Sequence, residues 1–203
     1  MIHNVINLRP IPIYISKTDY RINKQQEKRI KSLSYTCDGK DKVKVSQEGM
    51  VVKEKLFKDL DVIFEQHINF YLKNVLQISN EVYCTHSWAT LNDKSVHHIH
   101  SHKGAFISLV YYCKSKGSNT FTVHLGSSSC QEAYDFDYNI LNINLYNTER
   151  WTLDITEGDI CIFPGWLKHS AETKGTKTMI GANYFLKGFI GAMPEKTGVY
   201  LKT

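Results

Sequence analysis

Gly158-Asp159-Ile160-Cys161-Ile162-Phe163-Pro164-Gly165-Trp166-Leu167-Lys168-His169 reads as a turn, a buried strand and a Pro-Gly stop that together aim a histidine. Working outward, Val82 to Leu91, Ala105 to Cys113, Thr120 to Leu125, Ile140 to Tyr146, Trp151 to Ile155 and Lys177 to Leu186 share the same enrichment in β-branched and aromatic residues. Gly, Ser, Asn and Asp clusters punctuate them. Seven short strands after a helix-like lead-in predict a mainly β sandwich or barrel, with N-terminal helices packed on one side. No internal repeat is present.

The lead-in is decided by Lys53 to Val75, where Leu56, Leu60, Ile63, Phe64, His67, Ile68, Tyr71, Leu72 and Val75 recur at three- and four-residue steps. His67 sits on this apolar stripe and reads as a core or edge residue. The character changes once, near residue 80, without a Pro/Gly/Ser linker. The expected organisation is therefore one domain over 1–203, with a helical layer over 1–80 and a β-barrel core over 81–203. A length of 203 residues with 42% hydrophobic content suffices for one packed core.

The formal charge of +5 comes with lysines concentrated between Lys24 and Lys58, alternating with acidic and apolar residues. That pattern reads as a solvated helical face, and nucleic acid is not the favoured partner. Nothing at the N-terminus reads as a signal peptide, and no run reaches the length of a membrane span. The five cysteines, Cys37, Cys84, Cys113, Cys130 and Cys161, are odd in number and form no Cys-x-x-Cys pair, so a reduced, cytoplasmic protein is expected.

The chemistry concentrates in Val96-His97-His98-Ile99-His100-Ser101-His102, which holds four of the nine histidines. In an extended chain His98, His100 and His102 share one face and His97, Ile99 and Ser101 the other. Neighbours on one face are about 6.6 Å apart along the backbone and can converge on one ion, whereas His98 and His102 are about 13 Å apart. One adjacent pair therefore chelates, and a further ligand must come from elsewhere. His169 is the best candidate.

Ser87-Trp88, Asn92, His97 to His102 and Phe106-Ile107-Ser108-Leu109-Val110-Tyr111-Tyr112 resemble the first half of the 2-oxoglutarate/iron(II) oxygenase family found in phage and bacterial genomes. Gly158 to His169 resembles its second half, and Ile11-Pro12-Ile13-Tyr14 its opening. The resemblance implies a double-stranded β-helix of the jelly-roll or cupin-like kind, and an enzyme using Fe(II) and 2-oxoglutarate as co-substrate. It also implies metal ligands at His100, His102 and His169, which would be the catalytic residues. The wider superfamily uses two histidines and one carboxylate, and His102 stands at the carboxylate position. The far carboxylate of 2-oxoglutarate is clamped in the superfamily by an arginine or lysine on the strand after the distal histidine. Lys177 takes that place, with Thr178, Ser108, Tyr112 and Asn183 as its candidate partners.

Two other readings compete. A cupin-type three-histidine dioxygenase or isomerase needs neither Lys177 nor 2-oxoglutarate, and a barrel that only binds a partner, such as a phage particle component, needs no metal. The substrate class, whether a small molecule or a peptidyl side chain, is not legible, nor is the oligomeric state. If the protein is viral, the expected compartment is the host cytoplasm. Gly126 to Tyr138 reads as a lid or a surface loop.

Overall fold

The computed structural model describes residues 4, 6, 10–38, 42–125, 139–191 and 198–201. The segment from Gly126 to Tyr138 lies outside them. In chain order the elements are β1 (Tyr14–Lys17), α1 (Lys24–Ser32), β2 (Tyr35–Asp38), β3 (Val43–Ser46), α2 (Lys58–Phe70), β4 (Glu81–His100), β5 (Ile107–Lys116), β6 (Asn119–His124), β7 (Arg150–Asp154), β8 (Asp159–Pro164), β9 (His169–Ile190) and β10 (Val199–Leu201). The first 80 residues thus supply strands as well as helices.

The helix predicted over Lys53 to Val75 is shorter than its pattern. Glu54 is extended, at φ −62° and ψ 140°, so two single 3-10 turns precede α2. Those turns sink Val51, Val52 and Phe57 into the core, and the hydroxyl of Ser87 on β4 accepts the amide of Val52 at 3.0 Å. A π-helical turn over Tyr71–Val75 ends the segment. Leu60, Phe64, Ile68, Tyr71 and Leu72 are buried, while Leu56 and Val75 are exposed. His67 is a satisfied edge residue: its Nδ1 lies 2.8 Å from the Tyr14 hydroxyl on β1.

Ile140 to Tyr146 forms no strand. Asn144 Oδ1 accepts the amide of Tyr146 at 2.8 Å, Asn147 Oδ1 accepts that of Asn144 at 2.7 Å, and Asn147 Nδ2 donates to the Asn142 carbonyl at 2.8 Å. These side chains satisfy the backbone locally and outcompete a ladder, a preference that apolar alternation alone does not reveal.

All strands belong to one hydrogen-bonded network, ordered β1-β8-β5-β9-β4-β3-β2, with β10 also on β9 and β7 joined through β6 to β9. β9 changes neighbours along its length. Residues 169–173 lie between β4 and β6, and residues 176–184 between β4 and β5. That switch folds the network into the two facing layers of a double-stranded β-helix. The side chains alternate accordingly. Leu109, Tyr111, Ile160, Ile162, Ile180 and Ala182 pack outward with Phe57, Leu60, Phe64 and Ile68. Val110, Tyr112, Phe121, Val123, Cys161, Phe163 and Met179 pack inside the barrel.

The lysines between Lys24 and Lys58 are partly neutralised on the surface: Lys31 pairs with Glu27 at 2.7 Å and Lys53 with Asp61 at 2.8 Å. Cys37, Cys84, Cys113 and Cys161 are free. Among the described residues no helix is long and apolar enough to cross a membrane.

The change of neighbours on β9 depends on Gly175, where an added Cβ would sit 2.0 Å from the Lys116 carbonyl oxygen. Since backbone cannot yield as a side chain does, Gly175→Ala is expected to destabilise the fold by about 1–3 kcal/mol. A lower urea midpoint at unchanged slope is the corresponding observation.

Candidate metal centre

The pairing of β4 with β9 brings the two histidine segments together. His100 and His169 are cross-strand partners. His102 lies two residues beyond β4, held by its amide, which donates to the Gly165 carbonyl at 2.8 Å. The Pro164–Gly165 turn comes this close because position 165 is glycine: a Cβ there would stand 2.3 Å from the Ala105 carbonyl oxygen. One imidazole nitrogen from each of His100, His102 and His169 lies within 4.8 Å of the other two.

Each ring is oriented through Nδ1. His100 Nδ1 is 2.8 Å from the His98 carbonyl, and His169 Nδ1 is 2.9 Å from the Leu167 carbonyl. A carbonyl oxygen only accepts, so both nitrogens carry the proton and both Nε2 atoms offer a lone pair. His102 Nδ1 meets the Ser108 hydroxyl at 2.7 Å instead. Burial holds the His169 pKa down to about 3, aided by His100, and the His102 pKa down to about 4, aided by His100 and partly opposed by Asn183. At neutral pH these two rings are neutral, the state a metal requires.

The cavity beside the rings is walled by Trp88, His97, Val110, Tyr112, Phe121, Ala171 and Met179. Phe163 and Phe121 pack on His169 at centroid distances of 4.7 and 5.2 Å, and Trp88 stands edge-on to His102 at 5.3 Å. Lys177 lines the same cavity and is 3% exposed. Its ammonium lies 5.7 Å from the centre of the Tyr112 ring. Desolvation lowers its pKa to about 8, and no described residue offers it an ion pair.

The residues expected to accompany Lys177 divide. Tyr112 is beside it. Ser108 and Asn183 are joined to His102, since the Ser108 hydroxyl donates to Asn183 Oδ1 at 2.8 Å. Thr178 does not line the histidine cavity; it borders a second one with Cys37, Lys44 and Leu91, which Lys177 and Asn92 also reach. The polar groups nearest Lys177 in the ladder were not anticipated. Asn92 is its cross-strand partner, and Thr90 faces the same side one pair further on. Thr90 Oγ1 and Asn92 Oδ1 are buried without a hydrogen-bond partner among the described residues, as are Ser95 Oγ and Thr173 Oγ1. Alternation from Trp88 through Thr90 to Asn92 was the available signal.

The histidine run also departs from strict alternation. A register irregularity between His97 and His100 turns His97 inward, where its ring stacks on His100 at 4.1 Å, while His98 is exposed. The pair that converges is His100 with His102, not His98 with His100.

Residues 86–179, which contain all three converging histidines and Lys177, match the family described as putative 2OG-Fe(II) oxygenase. Solved structures share the fold at low identity. HygX from Streptomyces hygroscopicus, with nickel and 2-oxoglutarate bound, aligns at a TM-score of 0.57 and 10% identity over 86% of this chain and 82% of its own. An oxidoreductase of the 2OG-Fe(II) oxygenase family from Burkholderia pseudomallei aligns at 0.54 and 10% over 79% and 75%. The non-haem alpha-ketoglutarate-dependent carbocyclase SnoK from nogalamycin biosynthesis aligns at 0.54 and 10% over 82% and 72%. No curated protein matches the sequence. Residues 86–179 thus carry the sequence pattern of the 2OG-Fe(II) oxygenase family, on a fold that the solved oxygenase structures share.

Proposed function

We propose that the chain is a dioxygenase of the hydroxylase type that holds Fe(II) on His100, His102 and His169 and binds 2-oxoglutarate between that metal and Lys177. The observation that carries this reading is the pairing, in one cavity, of three converging imidazoles with a buried ammonium that no described residue neutralises. A short dicarboxylate satisfies both ends. The donor set suits the metal, because imidazole nitrogen is a good ligand for iron, and the Nδ1 contacts leave Nε2 to coordinate.

When bound, Fe(II) with 2-oxoglutarate and oxygen supplies oxidative decarboxylation to succinate and carbon dioxide, together with the oxidising power to hydroxylate an unreactive C–H bond. The chain's own residues bind, orient and exclude water. Lys177 neutralises the far carboxylate as a point charge, without the two-pronged geometry of arginine. Beside it in the ladder, the unpartnered Thr90 hydroxyl can donate to that carboxylate, and Asn92 Oδ1 can accept from the Lys177 ammonium. Phe121, Phe163 and Trp88 keep the histidines dry, which strengthens each charge interaction in the cavity. A cupin-type activity without 2-oxoglutarate leaves the buried charge of Lys177 without a purpose. The prime substrate is read as a small molecule or a peptidyl side chain that reaches the cavity mouth. The four free cysteines support a cytoplasmic setting.

With Fe(II), oxygen and 2-oxoglutarate but no prime substrate, the wild-type protein is expected to release succinate slowly. His169→Ala and Lys177→Ala should each lower that rate at least about tenfold, one through the metal and the other through the co-substrate. Succinate release unchanged in Lys177→Ala would remove the co-substrate assignment.

The affinity for 2-oxoglutarate should also depend on pH. Because burial lowers the Lys177 pKa to about 8, the ammonium is fully present below that pH and is lost above it. Carboxylate binding requires the charged form, so the dissociation constant should rise with alkalinity by up to about tenfold per pH unit above about 8. Anaerobic titration of the iron-loaded protein measures it, and Lys177→Met should be weak and flat across the same range.

A further inference from the structure

His100 and His169 both donate Nδ1–H to the main-chain carbonyl two residues upstream, an acceptor that a substitution at His98 or Leu167 leaves in the chain. His102 is held differently. Its Nδ1 meets the hydroxyl of Ser108, which in turn donates to Asn183 Oδ1. We propose that Ser108 and Asn183 are positioning residues for the metal: a neutral relay that locks His102 with its proton on Nδ1 and its lone pair on Nε2, and so lets a histidine serve where the superfamily carries a carboxylate. The inference rests on the reading that His102 is a ligand.

Direction within the relay is what gives it force. A serine hydroxyl has one proton. Because it goes to Asn183 Oδ1, Ser108 can only accept from His102, and the imidazole proton must then sit on Nδ1. Were Asn183 to present its amide nitrogen instead, Ser108 would donate to Nδ1 and the proton would move to Nε2, closing the site to metal. The relay is built into the fold, since Ser108 and Asn183 are direct cross-strand partners between β5 and β9. Phe163 is the partner of Ser108 on its other side and lies 5.8 Å from His102. Ser108 is 0% exposed, so water has little room to replace its oxygen once the hydroxyl is removed. With its one proton committed to Asn183, the Ser108 hydroxyl has none left to donate to the far carboxylate of 2-oxoglutarate.

The test is the affinity of the full-length protein for Fe(II), titrated without oxygen against a chromophoric chelator, alongside the melting temperature of the metal-free form. Ser108→Ala and Asn183→Leu are expected to weaken Fe(II) binding about 10- to 100-fold. Asn183→Asp, which keeps an oxygen acceptor, should bind at least as tightly as wild type. A merely structural role would lower the melting temperature and leave the affinity alone. Bound Co(II) adds a second readout, since its visible spectrum should change in Ser108→Ala if His102 turns away. Wild-type Fe(II) affinity in folded Ser108→Ala, with a large loss in His102→Ala, would overturn the relay and leave the ligand reading intact. Wild-type affinity in His102→Ala would overturn both. If Ser108→Ala does not fold, the contrast between Asn183→Leu and Asn183→Asp decides: equal affinities refute the relay.

Discussion

β4 and β9 pair antiparallel from Glu81 opposite Lys187 to His100 opposite His169, and that one ladder passes through both layers of the barrel. The functional side chains depend on its register. It sets His169 against His100 at one end and Lys177 against Asn92 further along, and it carries Gly181 under Trp88, whose ring would be struck by a Cβ at 2.6 Å. A slip of one residue would exchange the faces of every side chain on a strand. The outer helices contribute by burying Ile180 and Ala182 on the opposite face, which makes any such slip costly in apolar area.

Electrostatically the interior is arranged for an anion. The two more buried imidazoles stay neutral, and the buried ammonium of Lys177 carries a desolvation penalty, which is what lowers its pKa. Thr90, Asn92, Ser95 and Thr173 add polar atoms with no described partner. An interior built only for stability would have filled these positions with apolar side chains. Three imidazoles also leave a divalent metal with its full charge, one unit more positive than a site with a carboxylate, which favours a dianionic co-substrate further.

Much of this was legible in the sequence because strand alternation survives tertiary folding wherever both faces are buried. Ile160 and Ile162 against Cys161 and Phe163 are such a case, and the Pro-Gly stop before His169 is another. What could not be read were the interruptions. β4 changes alternation near Lys94, which has a positive φ of 42°, and again between His97 and His100. The common facing of His100 and His102 is legible from alternation, and the two changes cancel between Trp88 and that pair. His97 lies between the changes, and strict alternation puts it on the wrong side. The relay was hidden for a different reason: Ser108 and Asn183 are 75 residues apart, and each by itself resembles any polar residue of a strand.

β9, by contrast, keeps a single alternation through the site, so that His169, Ala171, Lys177 and Met179 all line the same cavity. The interval from metal ligand to cation is therefore governed by parity. Loss or gain of one residue within it would send the ammonium into the helical layer, while a change of two would keep it inside and move it by roughly 6.6 Å along the strand. The strand thus works as a ruler with coarse graduations. On the proposed assignment of Lys177 to the far carboxylate, a co-substrate one methylene longer or shorter has no matching step on β9.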